Sequence, residues 1–370
     1  MQKIVVLTYG DYKRASTWSN VPYLFIKSLK KNKNLIVKCY DIETKQNVFT
    51  YFYTFLCILI KRKSLYFFVR SKINYFIVLK KLKRILKQED SNTDLYIVLS
   101  YDFDIKKYTN KKVMFISDWN VEYVLEKWEK RNPYLIEKNN IERTKKSIIH
   151  ADFVVSLVED FKKYAERKYN REILYFGMPL NVFIPPDGFD SIEERKYITF
   201  IGKKSYIESA QQIINTFNNY NINKYELHII GMNKKDFKGI NSNNIFFHGY
   251  LDKGNSEQLK SYYNIIKKSY VVINTKENWS GMSSIGEVLY YYRPIIISPN
   301  DEAKRKFKNC SFVTFSKNDS NSLFKAINKI DNYSIEKYKK ICQEAHNFVE
   351  KYSYENFCNK LLKELEKGDK

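Results

Sequence analysis

The apolar positions of the chain gather into short β-branched and aromatic runs separated by longer stretches of helical period. In the first half the runs are IVVLTY (4–9), LIVKCYDI (35–42), LYIVLS (95–100), VMFIS (113–117), FVVSL (153–157) and ILYF (173–176). A second series starts at YITFIG (197–202) and continues through ELHIIG (226–231), NIFFHGY (244–250), YVVINT (270–275), PIIISP (294–299) and SFVTFS (311–316). Continuous apolar runs that alternate with helices predict parallel strands covered on both faces. The expected fold is therefore α/β, with two doubly wound, Rossmann-like domains facing a central cleft. Between the series, PLNVFIPPDGFDSIEERK holds three prolines, a glycine and a charge cluster, which predicts a linker over 179–196. The expected division is an N-terminal domain over 1–178, a C-terminal domain over 197–350 and a terminal helix over 351–370. In such sheets ligands lie outside the carboxyl ends of the strands, so the loops after the strands are where chemistry is expected.

Composition adds a compartment and a partner. With 370 residues, 44% of them apolar, the chain can bury two cores. Its five cysteines are scattered without a CxxC pair, which argues against a zinc site or a disulfide framework and fits a reducing, cytoplasmic setting. The opening MQKIVVLTYG reads as a first strand rather than a signal peptide. The longest apolar stretch, 49–60, is shorter than the roughly 20 residues of a membrane-spanning helix. Lys and Arg number 64 against 41 Asp and Glu, a net charge of +23, more than solubility requires. From Lys61 to Lys87 there are ten basic residues and no acidic one, interleaved with Leu, Phe, Tyr and Ile. Such a helix suits an anionic membrane surface, with lysines at the headgroups and apolar side chains in the interface. The competing reading is a core-packed helix with a solvated lysine face. Nucleic acid is not expected, because no zinc-finger, RRM-type or basic-zipper signature accompanies the charge.

The stretch WSGMSSIGEVLYYYRPIIIS (279–298) packs glycines and serines ahead of a helix expected to carry Glu287 in its first turn. Unpaired N–H groups at a helix start and the positive end of its dipole form an anion cradle, here built by the backbone at Gly281, Met282, Ser283 and Ser284. The plainer alternative is that Ser283 or Ser284 only caps the helix. For Asp118, after the fourth strand, the alternative is likewise capping, of the helix over WNVEYVLEKW. The four histidines show no spacing that suggests a metal site or a nucleophile pair.

Together with FIGKKS (200–205), LHIIGMN (227–233) and the run from IFFHGYLDKGN to RPIIIS, this stretch resembles glycosyltransferases of the GT-B fold, family 4 type. Trp18 to Tyr23 after the first strand, Ser117-Asp118, FGMPLNVF before the linker and YSYENFCNKLLKELEK (352–367) resemble the same enzymes, the last as a helix that returns to the first domain. The resemblance implies a hexosyltransferase-like enzyme that moves a sugar from a UDP- or GDP-linked donor to a glycan, lipid-linked or other cell-surface acceptor, with retention at the anomeric carbon. It implies a place in polysaccharide synthesis, in the cytoplasm or peripherally on the inner face of the plasma membrane. Glu287 then holds the donor ribose, and Glu277, near the place of the family's first glutamate, is the catalytic carboxylate that holds the donor sugar. Lys203 stands where the family places an arginine on the pyrophosphate, Glu208 where it places a lysine, and Lys204 is a substitute cation. Gly202, Tyr250 and Leu251 complete the donor side, the last two reading the base through their backbone. Gly10, Trp18, Ser19 and Asn20 are assigned to the acceptor, with Asp118 as the acceptor-side catalytic group. No cofactor or metal is expected where lysines and a helix terminus meet the diphosphate. A GT-B protein that binds a glycan or nucleotide without turnover, and a basic protein of membrane or nucleic-acid surfaces, are the alternatives.

Overall fold

A computed structural model describes residues 1–15, 17–44, 48–59, 68–189, 197–220, 222–276 and 282–367. The chain divides into two compact units, one formed by Met1–Met178 with Tyr354–Lys370 and the other by Pro179–Ser353.

The first unit runs β1 (Gln2–Thr8), α1 (Val21–Leu29), β2 (Leu35–Asp41), α2 (Val48–Leu59), α3 (Lys72–Glu89), β3 (Leu95–Leu99), β4 (Lys112–Ser117), α4 (Leu135–His150), β5 (Phe153–Ser156), α5 (Glu159–Tyr169) and β6 (Leu174–Tyr175). Its strands form one parallel sheet in the order β2-β1-β3-β4-β5-β6. All five residues of β3 are buried, which is why its sequence has no polar alternation, whereas β2 at the edge is only partly covered. The chain leaves β1 toward β2 and then crosses back to β3, so the order reverses between β1 and β3. A crevice at the carboxyl ends of those two strands follows from this topology.

The basic stretch over 61–87 is not one helix. Its residues 61–67 lie outside the described residues, and α3 begins only at Lys72, where Ser71 Oγ accepts the Asn74 amide at 3.1 Å. An accepting hydroxyl at this position satisfies an amide that the helix leaves unpaired, so the serine fixes the start. Val78, Leu79, Leu82, Ile85 and Leu86 anchor α3 in the core.

The second unit runs β7 (Tyr197–Ile201), α6 (Ile207–Tyr220), β8 (Glu226–Ile230), β9 (Ile245–Gly249), α7 (Ser256–Lys268), β10 (Ser269–Asn274), α8 (Met282–Tyr290), β11 (Ile295–Ile297), α9 (Asp301–Lys306), β12 (Val313–Phe315), α10 (Ser320–Asp331) and α11 (Ile335–Glu350). Its sheet is also parallel, in the order β12-β11-β10-β7-β8-β9. The reversal here falls between β7 and β10. Residues 179–189 lie along this unit: Leu180 N–H donates to Tyr352 O at 2.8 Å and Phe183 N–H to Tyr263 Oη at 3.0 Å. Residues 190–196 of the expected linker lie outside the described residues. Helix α12 (Tyr354–Lys367) belongs to the first unit, where Phe357 sets its ring edge-on to Phe25 and Phe176. Two parallel α/β domains are thus present, and each of the twelve short runs of the two series is a strand, while the described part of the apolar stretch at 49–60 is helix α2. Among the described residues no helix is long and apolar enough to cross a membrane.

Candidate active site

At the reversal point of the first unit lies a cavity of about 220 Å³, lined by Tyr9, Trp18, Arg70, Asp102, Asp118 and Trp119 among others. Tyr9 follows β1, Asp102 follows β3 and Asp118 follows β4, so three strand ends deliver side chains to one place. Asp118 does not cap the next helical turn: Asn120 does, its Oδ1 accepting the Tyr123 amide at 2.9 Å. The Asp118 carboxylate instead accepts Trp119 N–H at 2.8 Å, Ser117 Oγ at 3.3 Å and Trp18 Nε1 at 3.4 Å. Burial raises its pKa above the usual carboxylate range, and the Trp119 and Trp18 donors offset part of that rise. A carboxylate held this way is a stronger proton acceptor than an exposed aspartate.

Trp18, Ser19 and Asn20 all have left-handed backbone, with φ of 40°, 51° and 74°. Side chains disfavour this region by about 1–2 kcal/mol per residue, so three in succession are strain held in place by the surroundings. The segment carries Trp18 onto Asp118. Gly10 has φ 110°, its amide donates to Asp41 Oδ1 at 3.0 Å and its carbonyl accepts Thr8 Oγ1 at 2.8 Å. A side chain there would meet Thr17 Cγ2 at 2.8 Å, in the turn that leads to Trp18. Gly10 therefore belongs to the frame of the loop, and among the described residues it does not line the cavity.

In the second unit the ends of β7 and β10 are tied by Asn274 Nδ2, which donates to Ile201 O at 3.1 Å. Ile201, Asn274 and Ser284 line one small cavity, so the start of α8 meets the sheet at its reversal point. Gly202 follows β7, and Gly231 follows β8 with φ 101°. A Cβ on Gly231 would stand 2.3 Å from Gly202 O, so only glycine lets these two strand ends approach. Lys203 is exposed and has no carboxylate partner among the described residues. Lys204 Nζ instead pairs with Asp236 at 2.8 Å, an attraction that lowers the Asp236 pKa. Glu208 is paired with Lys276 at 2.9 Å, which places a cation unnoticed in the sequence directly after β10. Tyr250 is exposed, and Leu251 packs against the cluster around Tyr262 and Ile266.

Helix α8 is described from Met282, so Met282, Ser283 and Ser284 form its first described turn, whose amides have no hydrogen-bond partner among the described residues. Glu287 is in the second turn, not the first, because the helix begins earlier than the sequence pattern suggested. It is 2% exposed, and its carboxylate meets Lys253 Nζ at 2.5 Å, Tyr262 Oη at 2.9 Å and Tyr263 Oη at 3.2 Å. The Lys253 ammonium also lies 4.2 Å from the Tyr262 ring centre. Burial, reinforced by the Glu287 charge, pushes both tyrosine pKa values upward. Lys253, Tyr262 and Tyr263 carry no signal in the sequence, since their grouping depends on a turn and a helix packing against α8. Glu277 and Gly281 lie outside the described residues.

No protein-family model and no curated protein matches the chain. Solved structures do. The chain is similar to sucrose-phosphate synthase from Thermosynechococcus elongatus at 12% identity, with 99% of each chain covered and a TM-score of 0.68. It is similar to the UDP-forming α,α-trehalose-phosphate synthase from Burkholderia xenovorans at 12% identity, with 100% of each covered and a TM-score of 0.66. UDP-GlcNAc 2-epimerase from Neisseria meningitidis, solved with UDP-GlcNAc, matches at 12% identity over 98% of this chain and 100% of that one, with a TM-score of 0.59. At such identities the likeness speaks for the fold, and the fold is GT-B.

Proposed function

We propose that the protein is a glycosyltransferase that moves a sugar from a UDP- or GDP-linked donor to a glycan or lipid-linked acceptor, without a metal and with retention. The observation that carries this reading is the reversal point of the second sheet. There a glycine-only strand approach, Lys203 with no carboxylate partner among the described residues, and the first-turn amides of α8 offer a diphosphate both charge and N–H donors. In the reaction the anomeric C–O bond breaks, and its electron pair leaves with the diphosphate. Preorganised cations and amides lower the cost of that charge. Lys203, Lys204, Lys276 and the backbone of Met282 to Ser284 take this role, with Gly202 and Gly281 allowing close approach. Tyr250 and Leu251 border the base through their backbone, Glu287 the ribose and Glu277 the sugar. The acceptor hydroxyl forms the new bond to the anomeric carbon, and its proton passes to Asp118, beside Trp18, Ser19 and Asn20. Fold likeness to enzymes whose names include UDP supports a nucleotide-sugar donor.

A second reading, nucleotide-sugar binding without turnover, is favoured by one observation: Glu287 is already fully engaged by Lys253, Tyr262 and Tyr263. Calorimetry with UDP, GDP and ADP tests the shared premise, and the absence of binding at millimolar nucleotide removes both readings. Nucleotide release from a panel of labelled nucleotide sugars, with and without detergent-solubilised lipid acceptors, then separates them. Release that depends on acceptor is the expected result. Conversion of the donor to its epimer without acceptor assigns the site to another class of enzyme.

A further inference from the structure

Helix α2, VFTYFYTFLCIL, has no charged residue. Its Val48, Tyr51, Phe52, Phe55 and Leu56 are 80%, 64%, 61%, 58% and 42% exposed. These positions are spaced three, one, three and one apart, which puts them on one face. A surface helix ordinarily turns such a stripe toward the core. Here it faces outward. Helix α3 repeats the feature in its first half, where Ile73, Phe76 and Ile77 are exposed, and continues with the exposed cations Lys80, Lys81, Lys83, Arg84 and Lys87. Residues 44–88 hold eleven Lys and Arg and no Asp or Glu. The bounding Glu89 is buried, with Lys38 and Tyr40 on its carboxylate.

We propose that α2 and α3 form an interfacial surface by which the first unit lies on an anionic bilayer, and that the acceptor reaching the adjoining cavity is lipid-linked. The second half of this statement rests on the transferase reading. Charge decides the occupant. A second copy pressed to this face would set lysines against lysines, and nucleic acid would leave the uncharged stripe of α2 in water. An anionic bilayer satisfies both, since aromatic and aliphatic side chains enter the acyl boundary while ammonium groups meet headgroups. Twelve residues make a helix of about 18 Å, long enough to lie in the interface and too short to span it. The cavity is tied to the same surface: Arg70 lines it next to the cap of α3, and Asn74 in the first turn donates to Oη of the cavity residue Tyr9 at 3.1 Å. Ile73, Phe76 and Ile77 therefore share the first turns of α3 with Asn74, which holds the cavity residue Tyr9.

The test is co-sedimentation of the full chain with vesicles of phosphatidylcholine alone or mixed with phosphatidylglycerol. Binding is expected to the mixed vesicles, to fall with added salt, and to be at least about tenfold weaker on the neutral ones. Changing Lys80, Lys81, Lys83 and Arg84 together to Gln is expected to weaken it on the order of 1,000-fold. Phe52→Ser with Phe55→Ser, at exposed positions and checked for an unchanged melting curve, is expected to weaken it by a similar factor. Equal binding to both vesicle types, or none to the mixed ones, overturns the surface. So does a parent dimer that the serine pair turns into a monomer, or a nucleic acid that holds the chain more tightly than the vesicles do. UDP calorimetry on the same preparation reports on the transferase reading alone, so vesicle binding without UDP binding removes only the lipid-linked acceptor.

Discussion

Replacing Glu287 by Ala removes the counter-charge from a lysine whose side chain is 18% exposed, together with the acceptor for two buried tyrosine hydroxyls. Breaking a buried ion pair from one side costs about 3–5 kcal/mol, because the remaining charge stays in a poor solvent. Lys253 retains some access to water and an aromatic face at 4.2 Å, so we expect the lower end, about 3 kcal/mol. For a unit of this size that corresponds to a fall in Tm of roughly 6–12 °C. Glu287→Gln keeps an acceptor for the tyrosines and loses only the charge, and should fall between Ala and the parent. Adding Lys253→Met to Glu287→Gln removes both charges with side chains of similar volume, and should recover most of the loss. Thermal and urea unfolding followed by circular dichroism measure these three variants and Lys253→Met alone, and the double-mutant cycle isolates the coupling. A Glu287→Ala protein that melts within about 1 °C of the parent refutes the reasoning. If the single variants are destabilised but the double variant is no better than the worse single, the tyrosines rather than the ion pair dominate.

Asp118→Asn is expected to leave UDP affinity unchanged and to lower acceptor-dependent transfer on the order of 100-fold, measured in steady-state assays. Because burial raises the Asp118 pKa, its stabilising effect is present below the unfolded carboxyl pKa and is lost as pH rises through the folded one, so the Asn variant should match or exceed the parent in stability at pH 7. Gly231→Ala, with its Cβ at 2.3 Å from a backbone oxygen, should cost about 2–4 kcal/mol by urea unfolding and abolish nucleotide binding in calorimetry. His228 and His248 are hydrogen-bonded to each other at 2.9 Å, and burial holds both below the usual imidazole range. The unfolded chain then takes up protons first, so stability present above about pH 6.5 should decline as pH falls below it, and the urea midpoint of a His248→Gln variant should show a shallower decline.

Much of the architecture was legible in the sequence because strands buried on both faces must be apolar at every position. LYIVL and the YVVI of β10 therefore announce themselves as strands without any knowledge of their neighbours. The order of the strands is not written this way, and with it went the significance of Lys276, which matters only because β10 lies beside β7. The start of α8 was hidden by the glycines and serines before Glu287, which suit a loop and a first helical turn equally well. Lys253 lies 34 residues before Glu287, and nothing local to either pairs them. Helix α2 gave the opposite difficulty: an uncharged sequence reads as core, and no periodicity says which side of it meets water.

The chain returns to its first unit only after the second has been laid down, and this sets a timetable for synthesis. Pro179–Ser353 is continuous, so the second unit can close while the ribosome is still at work. The first unit must wait, with the α1 surface around Phe25 uncovered, until Phe357 and the rest of α12 have emerged. A nascent chain stalled between residues 179 and 353 therefore carries an unfinished N-terminal unit with bare apolar surface, the kind of segment that chaperones hold.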